Sequence, residues 1–171
     1  MSVEKAFAEF SEIIAILQSS GEISLASSIE ANARKGILLS AASEFEHLLC
    51  ESVRKFANKA SKSNARVMSL IETKAISRQY HTWFDWKGAS ANPFFALFGE
   101  EFSIEMKRRK KEEEEFSRAV TAFLELGQLR NLLVHNNYAA FYIEKSYTEL
   151  FDTYTLARGF VANVDESLMS D

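Results

Sequence analysis

The chain has 171 residues, 20 Lys or Arg against 24 Asp or Glu, a formal net charge of −4 and 47% hydrophobic residues. This length suits one domain, since roughly 100–200 residues per domain is usual, and the composition is that of an ordinary globular protein. The acidic balance argues against a broad nucleic-acid-gripping face, because phosphate neutralisation supplies most of the affinity there, yet it leaves room for a local anion site in a cleft.

No apolar stretch approaches the roughly 20 residues that cross a bilayer, so no membrane association is expected. The opening MSVEKAFAEF carries early acids without a long apolar core, and a signal peptide is not expected. The single cysteine, Cys50, cannot form an internal disulfide, and the reducing cytoplasm is the expected compartment. With no linker, repeat or low-complexity segment in view, residues 1–171 are expected to form a single domain.

One proline and six glycines leave few places to stop a helix, and no long alternating β-branched run appears; the expectation is all-α. A first helix is predicted from Val3 to Gln18, closed by Ser19-Ser20-Gly21. A long second helix runs from about Ser27 to Lys59. Its apolar stripe is Leu38, Ala41, Ala42, Phe45, Leu48, Leu49, Val53 and Phe56. A shorter helix follows from Asn64 to Ser77, with Ser63 as its expected cap. Residues 80–99, YHTWFDWKGASANPFFALFG, read as an irregular aromatic connection with a helical turn after Pro93, its rings packed on the helices. In MKRRKKEEEEF (106–116), one continuous helix would pair Arg108 with Glu112 and Arg109 with Glu113. A break near Glu112 would instead put bases at one helix end and acids at the next start. Either way a solvated face is expected. The penultimate helix spans Phe116 to Val134, and the last starts at the capping box SYTE (146–149) and reaches about Leu168.

The penultimate helix carries the unusual residues. Phe116, Val120, Phe123, Gly127 and Val134 form one stripe, and Leu126, Leu129 and Leu133 a second. A helix apolar on two sides is expected to be covered twice, by its own bundle and by a partner chain. Arg130 falls between the stripes, and Asn131 and His135 share one flank. Helix-end signals would account for a basic residue and asparagines here. Arg130, however, lies a turn inside the end among leucines, where an unpaired guanidinium is costly to cover.

R-N-L-L-V-H (130–135) resembles the Arg-polar-x-x-x-His signature of the HEPN superfamily, near the end of the penultimate helix. SAASEFEHLL (40–49) resembles a corresponding family helix, and NPFFALFGEEF (92–102) is similar to the RiboL-PSP branch. The resemblance covers about residues 27–165. It implies a HEPN-like bundle of about five helices with an up-down core, which dimerises through the Arg130–His135 helix and brings two motifs to one cleft. It also implies a metal-independent endoribonuclease, with toxin or phage-defence roles and an antitoxin or other protein partner among the expectations. His135 would be the general acid/base, since histidine suits proton exchange near neutrality. Arg130 would hold the scissile phosphate with its forked donors, and Asn131 would orient His135 or bond the phosphate. Some HEPN toxins carry a modifiable tyrosine two residues after the histidine; here that position is Asn137, and Tyr138 comes one later, a candidate RNA-binding residue that the loop could still present.

His81, beside Trp83, Phe84 and Trp86, is a candidate to stack on an RNA base, with packing as the alternative. Glu46, at the stripe's edge, could support the motif. His47 should face solvent, and Cys50 should be a small core residue. No Cys/His/carboxylate spacing resembles a zinc site, and no Walker loop, nucleophile elbow or dinucleotide fingerprint is present, so no metal or cofactor is expected. The alternative function is a non-catalytic HEPN module that binds RNA or a partner protein.

Overall fold

The computed structural model describes residues 2–170. Seven α-helices and no named strand occur among them: α1 (Val3–Ser19), α2 (Ile23–Ala60), α3 (Ala65–Ile71), α4 (Asn92–Ala96), α5 (Glu100–Glu112), α6 (Glu114–His135) and α7 (Tyr147–Met169). The all-α expectation holds. The count exceeds five because the turn at Pro93 closes as a short helix and the charged block splits into two.

Capping chemistry sets the boundaries. The α1 end is a Schellman turn: Glu22 N–H donates to the Leu17 carbonyl at 2.9 Å, Gly21 N–H to Gln18 at 3.1 Å, and Gly21 takes φ 77. This turn is so short that α2 begins four residues before the expected Ser27. Asn64, not Ser63, caps α3, accepting from Arg66 and Val67 N–H at 3.1 and 3.2 Å. Ser63 has φ 59, whereas a cap needs the extended backbone that Asn64 has. The helical run then widens into a π-turn over Glu72–Ile76, where the Arg54 guanidinium grips the Glu72 carboxylate with Nε at 2.7 Å and Nη2 at 2.9 Å.

The charged block breaks at Glu113, whose backbone is extended, leaving bases at the end of α5 and Glu114 and Glu115 in the first turn of α6. Both helix-end pairs still form, Arg108 with Glu112 and Arg109 with Glu113. Arg109 is not a bare surface cation. It also reaches Asn163 and Ser167 on α7 and lies over the Phe116 ring, tying α5 to the bundle. At α7 the expected capping box is present, Ser146 Oγ accepting from Glu149 N–H at 3.1 Å while the Glu149 carboxylate accepts from Ser146 N–H at 2.7 Å.

Helices α1, α2, α6 and α7 pack as the bundle. Between α2 and α7, the buried Tyr154 hydroxyl donates to Glu44 on α2 and to Glu4 on α1, joining three helices. The expected α2 stripe is buried at Leu38, Ala41, Phe45, Leu49 and Val53, but Leu48 is exposed, being on the stripe's outer edge. Cys50 is half-buried against the core rather than enclosed by it. The aromatic connection packs as expected: Phe84 meets Trp86 and Phe123 at 4.9 Å and Phe94 at 5.0 Å between ring centroids.

One expectation about α6 changes. Leu126 and Leu133 are 1% and 0% exposed within a single chain. With Leu129 half-buried against the same core, the leucine stripe is covered mainly by the chain's own bundle and does not itself require a partner. Leu132 and Val134 are the apolar residues of this turn that remain exposed.

Candidate active-site cleft

Helices α2 and α6 and the chain between α3 and α4 enclose an open cleft of about 720 Å³. One wall is α2, where Leu39, Ala42, Ser43 and Glu46 recur at three- and four-residue steps. The facing wall is α6, where Phe123, Gly127, Arg130, Asn131 and His135 do the same. The third wall is Arg78, Tyr80, His81 and Trp86. Thus the predicted Arg130, Asn131, His135, Glu46 and His81 line one space.

Helix-end chemistry and cleft chemistry now separate. Asn136 donates from its amide to the Leu132 carbonyl at 2.6 Å, satisfying one of the last unpaired acceptors of α6. Asn137 folds the next turn, accepting the Ala139 N–H at 3.1 Å. These asparagines end the helix. Arg130 and Asn131, a turn earlier, bond each other instead: Arg130 Nη1 donates to Asn131 Oδ1 at 3.1 Å. This leaves the Asn131 amide N–H groups and most guanidinium donors unused. Among the described residues no carboxylate pairs with Arg130, and the His135 ring makes no hydrogen bond to protein. Glu46 is exposed at the rim and bonds neither of them.

Trp86 sets the position of the third wall. Its indole lies directly on the α6 backbone: a Cβ on Gly127 would fall 1.9 Å from Trp86 Cζ3. Its Nε1–H donates to the His81 carbonyl at 3.0 Å. Glycine at 127 therefore serves close approach, and the wall is pinned to the motif helix. Tyr80, half-buried, is ringed by Trp83, Phe84 and Trp86 at 5.7, 5.8 and 5.9 Å. Burial pushes its hydroxyl well above the ordinary tyrosine range, with Glu46 and Cys50 adding to the effect and Arg130 opposing it. It stays a proton donor at neutral pH.

A family model described as RiboL-PSP-HEPN matches residues 4–170. The chain belongs to this family. No curated protein and no solved structure matches it significantly. Within this RiboL-PSP-HEPN chain, Tyr138 lies outside the cleft lining. Its ring sits 4.8 Å from Lys35 Nζ, and the same ammonium, almost buried, donates to the Tyr138 and Ala139 carbonyls. Arg34, next to it on α2, donates to the Ile143 carbonyl at 3.0 Å and lies 5.6 Å from the Tyr142 ring. These two cations order the loop after His135.

Sequence reasoning missed Arg78, Tyr80 and the seating of Trp86. Arg78 precedes the aromatic run by two residues, and its place in the same cleft as Arg130 has no sequence-local signal. His81 is exposed on the cleft side rather than packed into the aromatic cluster. His47 is exposed, as expected. No helix is long and apolar enough to cross a membrane among the described residues.

Proposed function

We propose that the protein is a metal-independent endoribonuclease that works as a homodimer, its single domain presenting Arg130, Asn131 and His135 to RNA. The observation that carries this reading is an arginine without a carboxylate partner sharing an open cleft with a histidine that makes no hydrogen bond. A guanidinium left unpaired in a concave site is arranged for an anion that arrives from outside.

In the proposed reaction, neutral His135 accepts the proton of a ribose 2′-OH as that oxygen attacks the adjacent phosphorus. The P–O5′ bond breaks, and the departing 5′-oxygen takes a proton from an imidazolium. The products are a 2′,3′-cyclic phosphate and a 5′-hydroxyl end. Arg130 compensates the charge that builds on the non-bridging oxygens, and the free Asn131 amide donates to the same phosphate. Exposed Leu132 and Val134, beside the motif on α6, offer the apolar contact through which a second copy would bring its motif near. Growth inhibition of the host cell, as a toxin or phage-defence effector, is the biological setting proposed for such an activity.

The test is cleavage of single-stranded RNA in excess EDTA. Cyclic-phosphate ends should form, and 2′-deoxy substitution at the attacked ribose should stop the reaction. His135→Ala should lower the rate by about 10²-fold or more. Equal activity in His135→Ala, or cleavage of an all-DNA strand, would refute the reading.

A further inference from the structure

The third wall of the cleft has features that the cleavage chemistry leaves unused. Arg78 occupies the left-handed backbone region with φ 61, a conformation that is strained for a non-glycine residue. Glycine would be the relaxed choice at this sharp turn between the π-turn and the short 3₁₀ turn at Tyr80–Thr82. Instead an arginine stands there. Among the described residues its exposed side chain makes no hydrogen bond or ion pair, and it lines the same cleft as Arg130. Arg78 and Arg130 thus border one cavity without carboxylate partners, Glu46 standing exposed on its α2 wall, and both guanidiniums remain available to an anion that enters.

Three residues on, the exposed His81 imidazole also makes no hydrogen bond among the described residues, while its backbone is held by Trp86. Between them Tyr80 lines the cleft, and its hydroxyl makes no hydrogen bond among the described residues. The cleft volume of about 720 Å³ exceeds what one phosphate group needs and lies within the range of about 300–1,000 Å³ that whole small-molecule ligands fill.

We propose that Arg78, Tyr80 and His81 form a nucleotide subsite beside the scissile phosphate: Arg78 binds the neighbouring phosphate of a single-stranded RNA, and His81 stacks on the attached base. Tyr80 donates its hydroxyl to the same nucleotide. The subsite rests on the ribonuclease reading for its ligand, and it selects single strands because a paired base is not free to stack. The left-handed backbone at Arg78 keeps a second cation on the cleft wall that also carries Tyr80 and His81.

The test uses a short fluorescein-labelled single-stranded RNA and fluorescence anisotropy, with every variant in the His135→Ala background so that binding is read without cleavage. Arg78→Gln should raise Kd about tenfold and reduce the slope of log K against log salt by about 0.7. His81→Ala should raise Kd about fivefold or more, with the salt slope unchanged. Arg78→Gly controls for folding: glycine relaxes the backbone there, so its Tm should be maintained while affinity still falls. In parallel, Arg78→Gln with His135 intact should raise KM more than it lowers kcat.

RNA binding and KM that match the parent in both Arg78 variants would overturn the subsite and leave the ribonuclease reading standing. RNA binding that falls in these variants, with a parent that cuts nothing, would support the subsite and sink the ribonuclease reading. A parent that neither binds nor cuts RNA would overturn both.

Discussion

The contact between Trp86 and Gly127 makes the sharpest prediction, because it reverses sign in a second background. In Gly127→Ala the new Cβ would lie 1.9 Å from Cζ3, 2.5 Å from Cε3 and 2.8 Å from Cη2 of the indole. The ring must therefore move, and Trp86 would lose its 3.0 Å bond to the His81 carbonyl. Overpacking of this kind costs about 1–3 kcal/mol, and the hydrogen bond about 1 kcal/mol more. Alanine returns about 1 kcal/mol through its better helix propensity. The net loss is about 2 kcal/mol, or a fall in Tm of about 4–8 °C for a chain of this size. Thermal and urea unfolding, followed by the fluorescence of Trp83 and Trp86, would measure it. In a Trp86→Ala background the same substitution meets no ring, so only the propensity gain of up to about 1 kcal/mol remains. Gly127→Ala that stabilises the protein with Trp86 present, or an equal effect in both backgrounds, would refute the seating of the indole on α6.

Ser146→Ala removes the cap of α7 and should cost about 1 kcal/mol, read as a lower urea midpoint at unchanged m-value. Lys35→Met removes the ammonium that holds the Tyr138 and Ala139 carbonyls. Amide exchange in residues 138–143 should speed by about tenfold or more while α2 and α7 keep their protection. Stability should fall at both ends of the pH scale. Glu4, held low by its backbone hydrogen bond, and Glu72, held low by Arg54, bind protons less readily in the folded state than the ordinary glutamate value of 4.5. Their contribution is present above that value and is lost as pH falls through the folded-state values. Tyr80 and Tyr154 keep their protons above the ordinary tyrosine value of 10 because burial raises both. Their contribution is complete below pH 10 and is lost as pH rises beyond it. Urea unfolding at neutral, acid and alkaline pH would check both signs; a stability that rises below the glutamate range would contradict the first.

Local rules explain why so much of the fold could be read in advance. The Ser146–Glu149 box, the Gly21 turn and the near absence of proline are short-range signals, and helix boundaries followed them to within a few residues. Where they failed, backbone geometry decided. Ser63 could not cap α3 because it occupies the left-handed region, and the charged block split because Glu113 is extended. Periodicity placed Leu126 and Leu133 on a second apolar face of α6 but could not say what covers it. The bundle covers it, which leaves Leu132 and Val134 as the exposed apolar residues beside the motif.

The candidate site divides along the same line. Arg130, Asn131 and His135 lie within two helical turns of one another, so their nearness follows from helical geometry and a family signature, while the cleft they share was seen only in the fold. Asn136 and Asn137 read in sequence as helix-end signals beyond Val134, and their hydrogen bonds agree. Glu46, Arg78, Tyr80 and His81 come to the cleft from distant parts of the chain. Glu46 follows the period of α2, but the arrival of Arg78, Tyr80 and His81 depends on a π-turn, a left-handed arginine and an indole resting on a glycine, none of which has a repeating pattern. Sequence by itself determined the helices and the polar set on α6, because those interactions are local. Which residues face that set across the cleft was decided by tertiary packing, because contacts between distant segments are chosen by shape and leave no period in the chain.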